Sequence, residues 1–105
     1  ETAEALATPF LAAHPEVTAI VCSTDLRAMG VVNAALRQGK RLPAFAVTGV
    51  DNVGEIFPGR LRLTTVDLMR REVGSELMRI AAAVRDGKPP VCVRVETRFT
   101  NGDSA

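Results

Sequence analysis

The segment Ile20–Gly30, "IVCSTDLRAMG", contains a sharp change of pattern that decides the fold. An apolar, β-branched run ends at Ser23-Thr24-Asp25, and the helical spacing of apolar residues begins at once with Leu26. A short apolar run followed directly by an amphipathic helix is typical of the strand–helix unit of a parallel sheet. The three small polar residues at the junction have two possible roles, which are helix capping and contact with a ligand.

The same alternation of strand and helix continues along the chain. Predicted strands cover 18–22, 45–50 and 63–66, and predicted helices cover 4–13, 26–38 and 69–84. Gly39 and Gly87 are expected to end the second and third helices. Val91–Glu96 alternates apolar and polar residues and is predicted as a half-buried edge strand, whereas Asn101–Ala105 is predicted as a loose tail. This order of elements predicts an α/β fold with a parallel sheet and right-handed crossovers.

Composition excludes several classes of protein. The 105 residues correspond to one domain or a piece of one. The 13 basic and 12 acidic residues give a net charge of +1, without the clustered basic residues typical of nucleic-acid binding. No apolar run approaches the roughly 18 residues of a transmembrane helix. Cys22 and Cys92 each lie in an apolar run and are expected to be buried. With no CxxC pair and a single histidine, we predict neither a metal site nor a cofactor.

Two predicted strand ends carry the candidate ligand-binding residues. Ligands of open parallel sheets bind outside the carboxyl ends of the strands, where Ser23, Thr24 and Asp25 follow the first strand and Asp51 follows the second. Asp25 fits a helix cap or first-turn acid better than a ligand contact, which leaves the Thr24 hydroxyl for a ligand. Asp51 either caps a turn or accepts hydrogen bonds from neighbouring hydroxyls, as a sugar would require. We find no arrangement of nucleophile, base and oxyanion hole, so we do not predict an enzyme.

Two longer stretches resemble a known family. The stretches "TAIVCSTDLRAMGVVNAALRQGKRLPAFAVTGVDN" and "LRLTTVDLMRREVGSELMRIAAAVRDGKPP" resemble the C-terminal lobe of the effector-binding domain of LacI-type (lactose/purine repressor-like) transcriptional regulators. The resemblance runs from about Thr18 to Lys88. The positions in register are Asp25, Ala28, Gly30, Gly39, Pro43, Gly49, Asp51, Leu63-Thr64-Thr65-Val66 and Gly74.

The resemblance implies a fold, a ligand and partners. It implies a Rossmann-like lobe of the periplasmic-binding-protein-like (type I) fold, whose two lobes close on a small effector, usually a sugar or a nucleobase. The positions of Thr24 and Asp51 commonly contact that effector. Operator DNA would be bound by a helix-turn-helix domain that, like the first lobe, is absent from this chain. The homodimer interface would involve the helix near Leu26 and the loop 54–59, with the residues Leu26, Met29, Gly30, Asn33, Ile56 and Phe57.

Three places depart from the family pattern. Thr24 stands where an asparagine is usual, so a hydroxyl replaces an amide that would both donate and accept. Val50 replaces a common aromatic residue, and Asn101-Gly102 stands where an arginine usually precedes the terminal serine motif. The first change bears on the identity of the effector, and the last on the contacts of the C-terminus.

Three interpretations of the whole chain follow. The first is the ligand-sensing domain of a cytoplasmic transcriptional repressor, the second a periplasmic sugar-binding protein of an ABC transporter, and the third a plain α/β interaction or nucleotide-binding module. The broad apolar face over 26–36 and the "LTTV" segment favour the first. The segment Gly49–Gly54 lacks the lysine of a phosphate loop, which disfavours the third. Because the chain begins at Glu1 without a methionine, we expect it to be part of a longer protein.

Overall fold

The computed structural model describes residues 2–53 and 61–105. The elements in chain order are helix α1 (Ala3–Ala13), strand β1 (Ala19–Val21), helix α2 (Asp25–Arg37), strand β2 (Ala46–Val50), strand β3 (Thr64–Asp67), helix α3 (Arg70–Arg85) and strand β4 (Arg98–Thr100). The first three predicted strands and all three predicted helices are confirmed, with bounds shifted by at most one residue.

The described strands form one sheet in the order β1-β2-β3-β4. β1, β2 and β3 are parallel, with Val21 opposite Thr48 and Val50 opposite Val66, whereas β4 is antiparallel to β3. The α/β fold with a mostly parallel sheet is therefore confirmed.

The core lies between the sheet, α2 and α1. Helix α2 contributes the largest share of it, because its apolar residues recur at helical spacing and face β2 and α1. Val32, Val47 and Leu11 are at most 2% exposed, and burying a side chain of this size contributes about 1.5–3 kcal/mol. The buried apolar cluster consists of Ala7, Leu11, Cys22, Ala28, Val31, Val32, Ala34, Ala35, Phe45, Val47 and Leu63.

A buried carboxylate joins α2 to the sheet. Asp25, in the first turn of α2, is 1% exposed, and its two oxygens accept hydrogen bonds from the Thr65 hydroxyl (2.6 Å) and the Val53 backbone N–H (2.8 Å). Gly49 of β2 packs directly against it, since a Cβ there would overlap Asp25 Oδ1 and lie 2.9 Å from Leu63 Cδ2. A glycine is therefore required where the strand passes beneath this carboxylate.

The C-terminal segment is not the loose tail that the sequence predicted. Ser104 is 0% exposed, and its hydroxyl donates to the Val47 carbonyl (2.6 Å) and accepts from the Thr64 N–H (2.9 Å). Asp103 adds an ion pair with Arg62 (3.2 Å). That prediction was wrong because small polar residues that resemble a loop satisfy backbone groups of β2 and β3.

The predicted edge strand Val91–Glu96 is also wrong. No strand is found there in the described residues, Val91 is 51% exposed, and regular pairing begins only at Arg98. Alternation of valines indicates a strand only where a neighbouring strand is available to pair with it, and within residues 2–53 and 61–105 this segment has none. Cys92 lies in the same segment and is exposed, so its predicted burial is wrong as well.

Strand β1 is covered on one face only. Cys22, just beyond its end, is buried as predicted, and burial raises the pKa of its thiol. Val21, however, is 83% exposed, although a continuous apolar run of this kind is typical of a strand covered on both faces. β1 is also the edge strand of the described sheet.

Helix α3 extends away from this core. It is amphipathic over 16 residues, yet it has no buried residue, and the molecule is elongated, with dimensions of 59 × 26 × 23 Å. A solitary helix of this length is only marginally stable in water, so an apolar face such as this one ordinarily packs against another body.

The buried hydroxyl of Ser104 provides a test of the role of the C-terminal segment. We expect Ser104→Ala to lower the free energy of unfolding by about 2 kcal/mol, because it leaves a buried N–H and a buried carbonyl unpaired. Urea denaturation measures the loss. Ser23→Ala, which removes an exposed hydroxyl, serves as the control and should cost less than about 0.5 kcal/mol. Equal effects of the two changes would contradict the role assigned to Ser104.

The Asp25 carboxylate is tested by Asp25→Asn, which preserves its shape. An amide can accept only at one oxygen, so either the Val53 N–H or the Thr65 hydroxyl loses its acceptor, at a cost of about 1–3 kcal/mol. The matched control is Asp86→Asn at the exposed end of α3, and both variants are compared by urea denaturation. A cost below about 0.5 kcal/mol for Asp25→Asn would refute the proposed link.

Candidate functional site

Three strand ends meet at one edge of the sheet. Thr24 lies three residues beyond Val21 and Asp51 three residues beyond Thr48, and Val21 and Thr48 are opposite each other in the parallel pair. One strand further, Asp67 lies one residue beyond Val66, which is opposite Val50. The register therefore brings Thr24, Asp51 and Asp67 to the same carboxyl edge, where open α/β sheets bind their ligands.

Thr24 is the N-cap of α2. Its backbone is extended, and its hydroxyl oxygen accepts from the Arg27 N–H at 3.3 Å. The structure thus assigns the cap to Thr24 and the first-turn position to Asp25, where the sequence had left the Thr24 hydroxyl without a structural role. The hydroxyl hydrogen of Thr24 is still available as a donor to a ligand.

Ser23 and Asp25, the neighbours of Thr24, have side chains in other surroundings. The Ser23 hydroxyl bonds to the Arg27 guanidinium (2.7 Å), and both residues line an apolar depression between α1 and β1. Asp25 is buried, with both oxygens already hydrogen-bonded. In this structure Ser23 lines the depression beside α1, and Asp25 positions other residues of the edge where Thr24 and Asp51 lie.

Asp51 is held in an unusual backbone conformation. Its φ is 115° and that of Asn52 is 53°, in a region that non-glycine residues rarely occupy. The Asp51 N–H continues the sheet by donating to the Val66 carbonyl (2.9 Å), and the Asn52 N–H donates to the Thr65 hydroxyl (3.4 Å). Such conformations cost about 1–3 kcal/mol and cluster at binding sites. The Asp51 carboxylate accepts no hydrogen bond from a described residue.

A cavity of about 470 Å³ opens beside Asn52. It is lined by Asn52, Asp67, Met69, Arg70, Arg71, Glu72 and Arg98. The Asn52 side-chain amide donates to Asp67 Oδ2 (2.9 Å) and the Met69 N–H donates to Oδ1 (2.8 Å). These two bonds hold the pKa of Asp67 below its usual value, and the positive charges of Arg70 and Arg98 lower it further. Asp67 therefore stays ionised at neutral pH.

Sequence reasoning missed three of the residues at this cavity, namely Asp67, Arg70 and Arg98. Asp67 follows "LTTV" directly, so its place at the end of β3 was a signal that could have identified it. Arg98 could not be found in this way, because the strand that carries it was predicted at other residues.

The residues predicted for a dimer interface lie partly on one surface. Leu26, Met29, Gly30 and Asn33 line a depression with the start of α1, and Leu26 is 67% exposed. Gly30 packs closely on α1, since a Cβ there would lie 2.8 Å from Ala3 Cβ. Ile56 and Phe57 lie outside the described residues.

Within residues 2–53 and 61–105, no helix is both long and apolar enough to cross a membrane. Over the same ranges, no three His, Cys, Asp or Glu side chains are grouped so that they could hold a metal ion.

Known proteins similar to this chain are LacI-type regulators. The chain is 26% identical over 91 residues to the ribose operon repressor of Bacillus subtilis (strain 168), covering 83% of this chain and 27% of the repressor. A LacI family transcriptional regulator from Arthrobacter sp. FB24, solved in complex with lactose, superposes with a TM-score of 0.86 at 31% identity, covering 99% of this chain and 41% of that one. The regulator CelR in complex with cellobiose gives a TM-score of 0.83 at 25% identity, over 98% of this chain and 32% of that one.

These proteins confirm the resemblance to the effector-binding domain of LacI-type regulators, and the chain spans less than half the length of each. The family model for the periplasmic binding protein-like domain matches residues 1–105. The chain therefore belongs to the periplasmic binding protein-like domain family.

Proposed function

We propose that this chain is the C-terminal lobe of the effector-sensing domain of a cytoplasmic LacI-type transcriptional repressor. The effector is a small molecule of the sugar class, bound in a cleft between this lobe and a first lobe. The observation that carries the proposal is that Thr24, Asp51 and Asn52 lie at the same carboxyl edge of the sheet. Proteins similar to this chain include regulators solved with bound sugars.

The chemistry of the edge suits a sugar. A carboxylate accepts hydrogen bonds from adjacent hydroxyls, and Thr24 keeps one hydroxyl hydrogen to donate. The uncommon backbone conformation of Asp51 sets the direction in which its side chain leaves the main chain before the ligand arrives, which reduces the entropy lost on binding. Lactose and cellobiose, bound to the two regulators named above, are both polyhydroxylated ligands of this kind.

Two exposed apolar surfaces of this lobe support the proposal that it packs against other parts of a larger protein. The first is the face of α3 formed by Val73, Leu77, Ile80 and Val84, with Leu77 62% exposed. We propose that this face packs on the first lobe. The second surrounds the exposed Val21 on the free edge of β1, and we propose that a strand from another part of the protein covers it.

Regulation would follow from closure of the two lobes. An effector that binds the closed form more tightly shifts the population toward it, and dimerisation through the surface around Leu26 and Met29 passes the change to the partner subunit. A helix-turn-helix domain outside this chain would then change its affinity for operator DNA. No chemical step is required of the protein, which acts as a sensor and has no enzymatic function in this mechanism.

Asp51→Ala in the full-length protein tests the ligand site. We expect affinity for a saccharide found in a screen that includes lactose and cellobiose to fall at least about tenfold, because hydrogen bonds to a charged acceptor are lost. Operator binding without effector should be unchanged. Calorimetry measures the first quantity and fluorescence anisotropy with operator DNA the second. Asp86→Ala, at the far end of α3, is the control, and unchanged saccharide affinity in Asp51→Ala would remove this residue from the site.

A second variant tests the packing of α3. Leu77→Glu should lower the free energy of unfolding of the full-length protein by about 2–3 kcal/mol, because a charge replaces a leucine in the proposed contact between lobes. Ala82→Glu places the same charge on the opposite face of the same helix and should cost less than about 0.5 kcal/mol. Thermal and urea unfolding measure both. If the two substitutions are equally tolerated, the apolar face of α3 has no partner.

A further inference from the structure

The cavity beside Asn52 has an unusual charge distribution. Three arginines line it, with Arg70 and Arg71 from α3 and Arg98 from β4, together with the carboxylates of Asp67 and Glu72. Helix and strand thus bring guanidinium groups from distant parts of the sequence to one opening. The lining carries one more positive than negative charge.

These arginines differ from four other arginines in the described part of the chain. Arg37, Arg62, Arg79 and Arg85 each form an ion pair with a carboxylate at 2.8–3.2 Å. Arg70, Arg71 and Arg98 form none within the described part of the chain, although Asp67 is close enough for Arg70 and Arg98 to lower its pKa. Both oxygens of Asp67 are instead engaged by Asn52 and the Met69 N–H. The three guanidinium groups therefore keep their donors for another acceptor.

The placement of two of them is unfavourable for the helix itself. Arg70 and Arg71 are the first two residues of α3, where the positive end of the helix dipole repels cations. An anion bound between them would remove this repulsion. Guanidinium groups are also well suited to carboxylates and phosphates, to which they donate two parallel hydrogen bonds.

We propose that this cavity binds an anionic group of the effector, the carboxylate of a sugar acid or the phosphate of a sugar phosphate. The inference rests on the proposed function, because Asn52 connects the cavity to the saccharide site at Asp51. The sugar ring lies at Asp51 and Thr24, and its charged substituent extends past Asn52 toward Arg98 and Arg70. A neutral sugar occupies the first part of this site and leaves the arginines without an acceptor.

The experiment compares matched ligands on the full-length protein. Calorimetry measures binding of the neutral hexose, its uronic acid and its 6-phosphate in the glucose, galactose and mannose series. We expect one of the anions to bind at least about tenfold more tightly than its neutral parent. Which of the two does so distinguishes carboxylate from phosphate recognition. This preference should weaken as NaCl is raised from about 50 to 300 mM, since charge attraction is screened.

Variants then locate the preference. Arg98→Gln and Arg70→Gln should reduce the preference for the anion to less than about threefold while leaving affinity for the neutral parent unchanged, and Arg85→Gln, the control on the same helix, should retain it. Neutral hexoses that bind as tightly as their acids and phosphates, with affinity still dependent on Asp51, would overturn the anion site and leave the proposed function standing. Absence of binding by every saccharide would overturn both.

Discussion

The Asp25 carboxylate accepts hydrogen bonds from β3 and from the loop after β2, and the geometry of the carboxyl edge depends on these two bonds. The Thr65 hydroxyl, which donates to Asp25, also accepts from the Asn52 N–H. Asn52 in turn holds Asp67. One buried acid at the start of α2 thus fixes the backbone around Asp51, so the candidate ligand residues are positioned by a group that itself has no free oxygen.

A second set of hydrogen bonds joins the C-terminal segment to the sheet. Thr64 and Thr65 are adjacent in β3, yet their side chains have different partners, because successive residues of a strand point to opposite faces. Thr65 bonds to Asp25, whereas the Thr64 hydroxyl accepts from the Gly102 N–H and donates to the Ala105 carbonyl. The "TT" of the "LTTV" segment therefore ties the edge of the sheet to both α2 and the C-terminus.

The sequence predicted the order of elements, because periodicity and helix-stop glycines are local signals. The position of polar residues at strand ends, together with the family resemblance, predicted the edge where the candidate site lies. It did not predict which of Thr24 and Asp25 caps the helix, since the burial of Asp25 depends on Thr65, a residue 40 positions away. Ser104 was missed for the same reason, because its partners Val47 and Thr64 belong to distant strands. The valines of 91–96 gave the opposite error, a strand pattern without a strand to pair with.

The short connection between β3 and α3 relates the two proposed roles of this helix. Only Leu68 and Met69 separate the elements, and Met69 has a left-handed backbone (φ 52°) that turns the chain sharply. A change in the direction of α3 therefore moves Arg70 relative to Asn52, which the sheet holds in place. If the apolar face of α3 packs on the first lobe, the position of that lobe sets the distance between the arginines and the proposed saccharide site. An anion that binds both parts of the site then favours one orientation of the lobes. By thermodynamic linkage, that orientation strengthens binding of the anion by the same free energy.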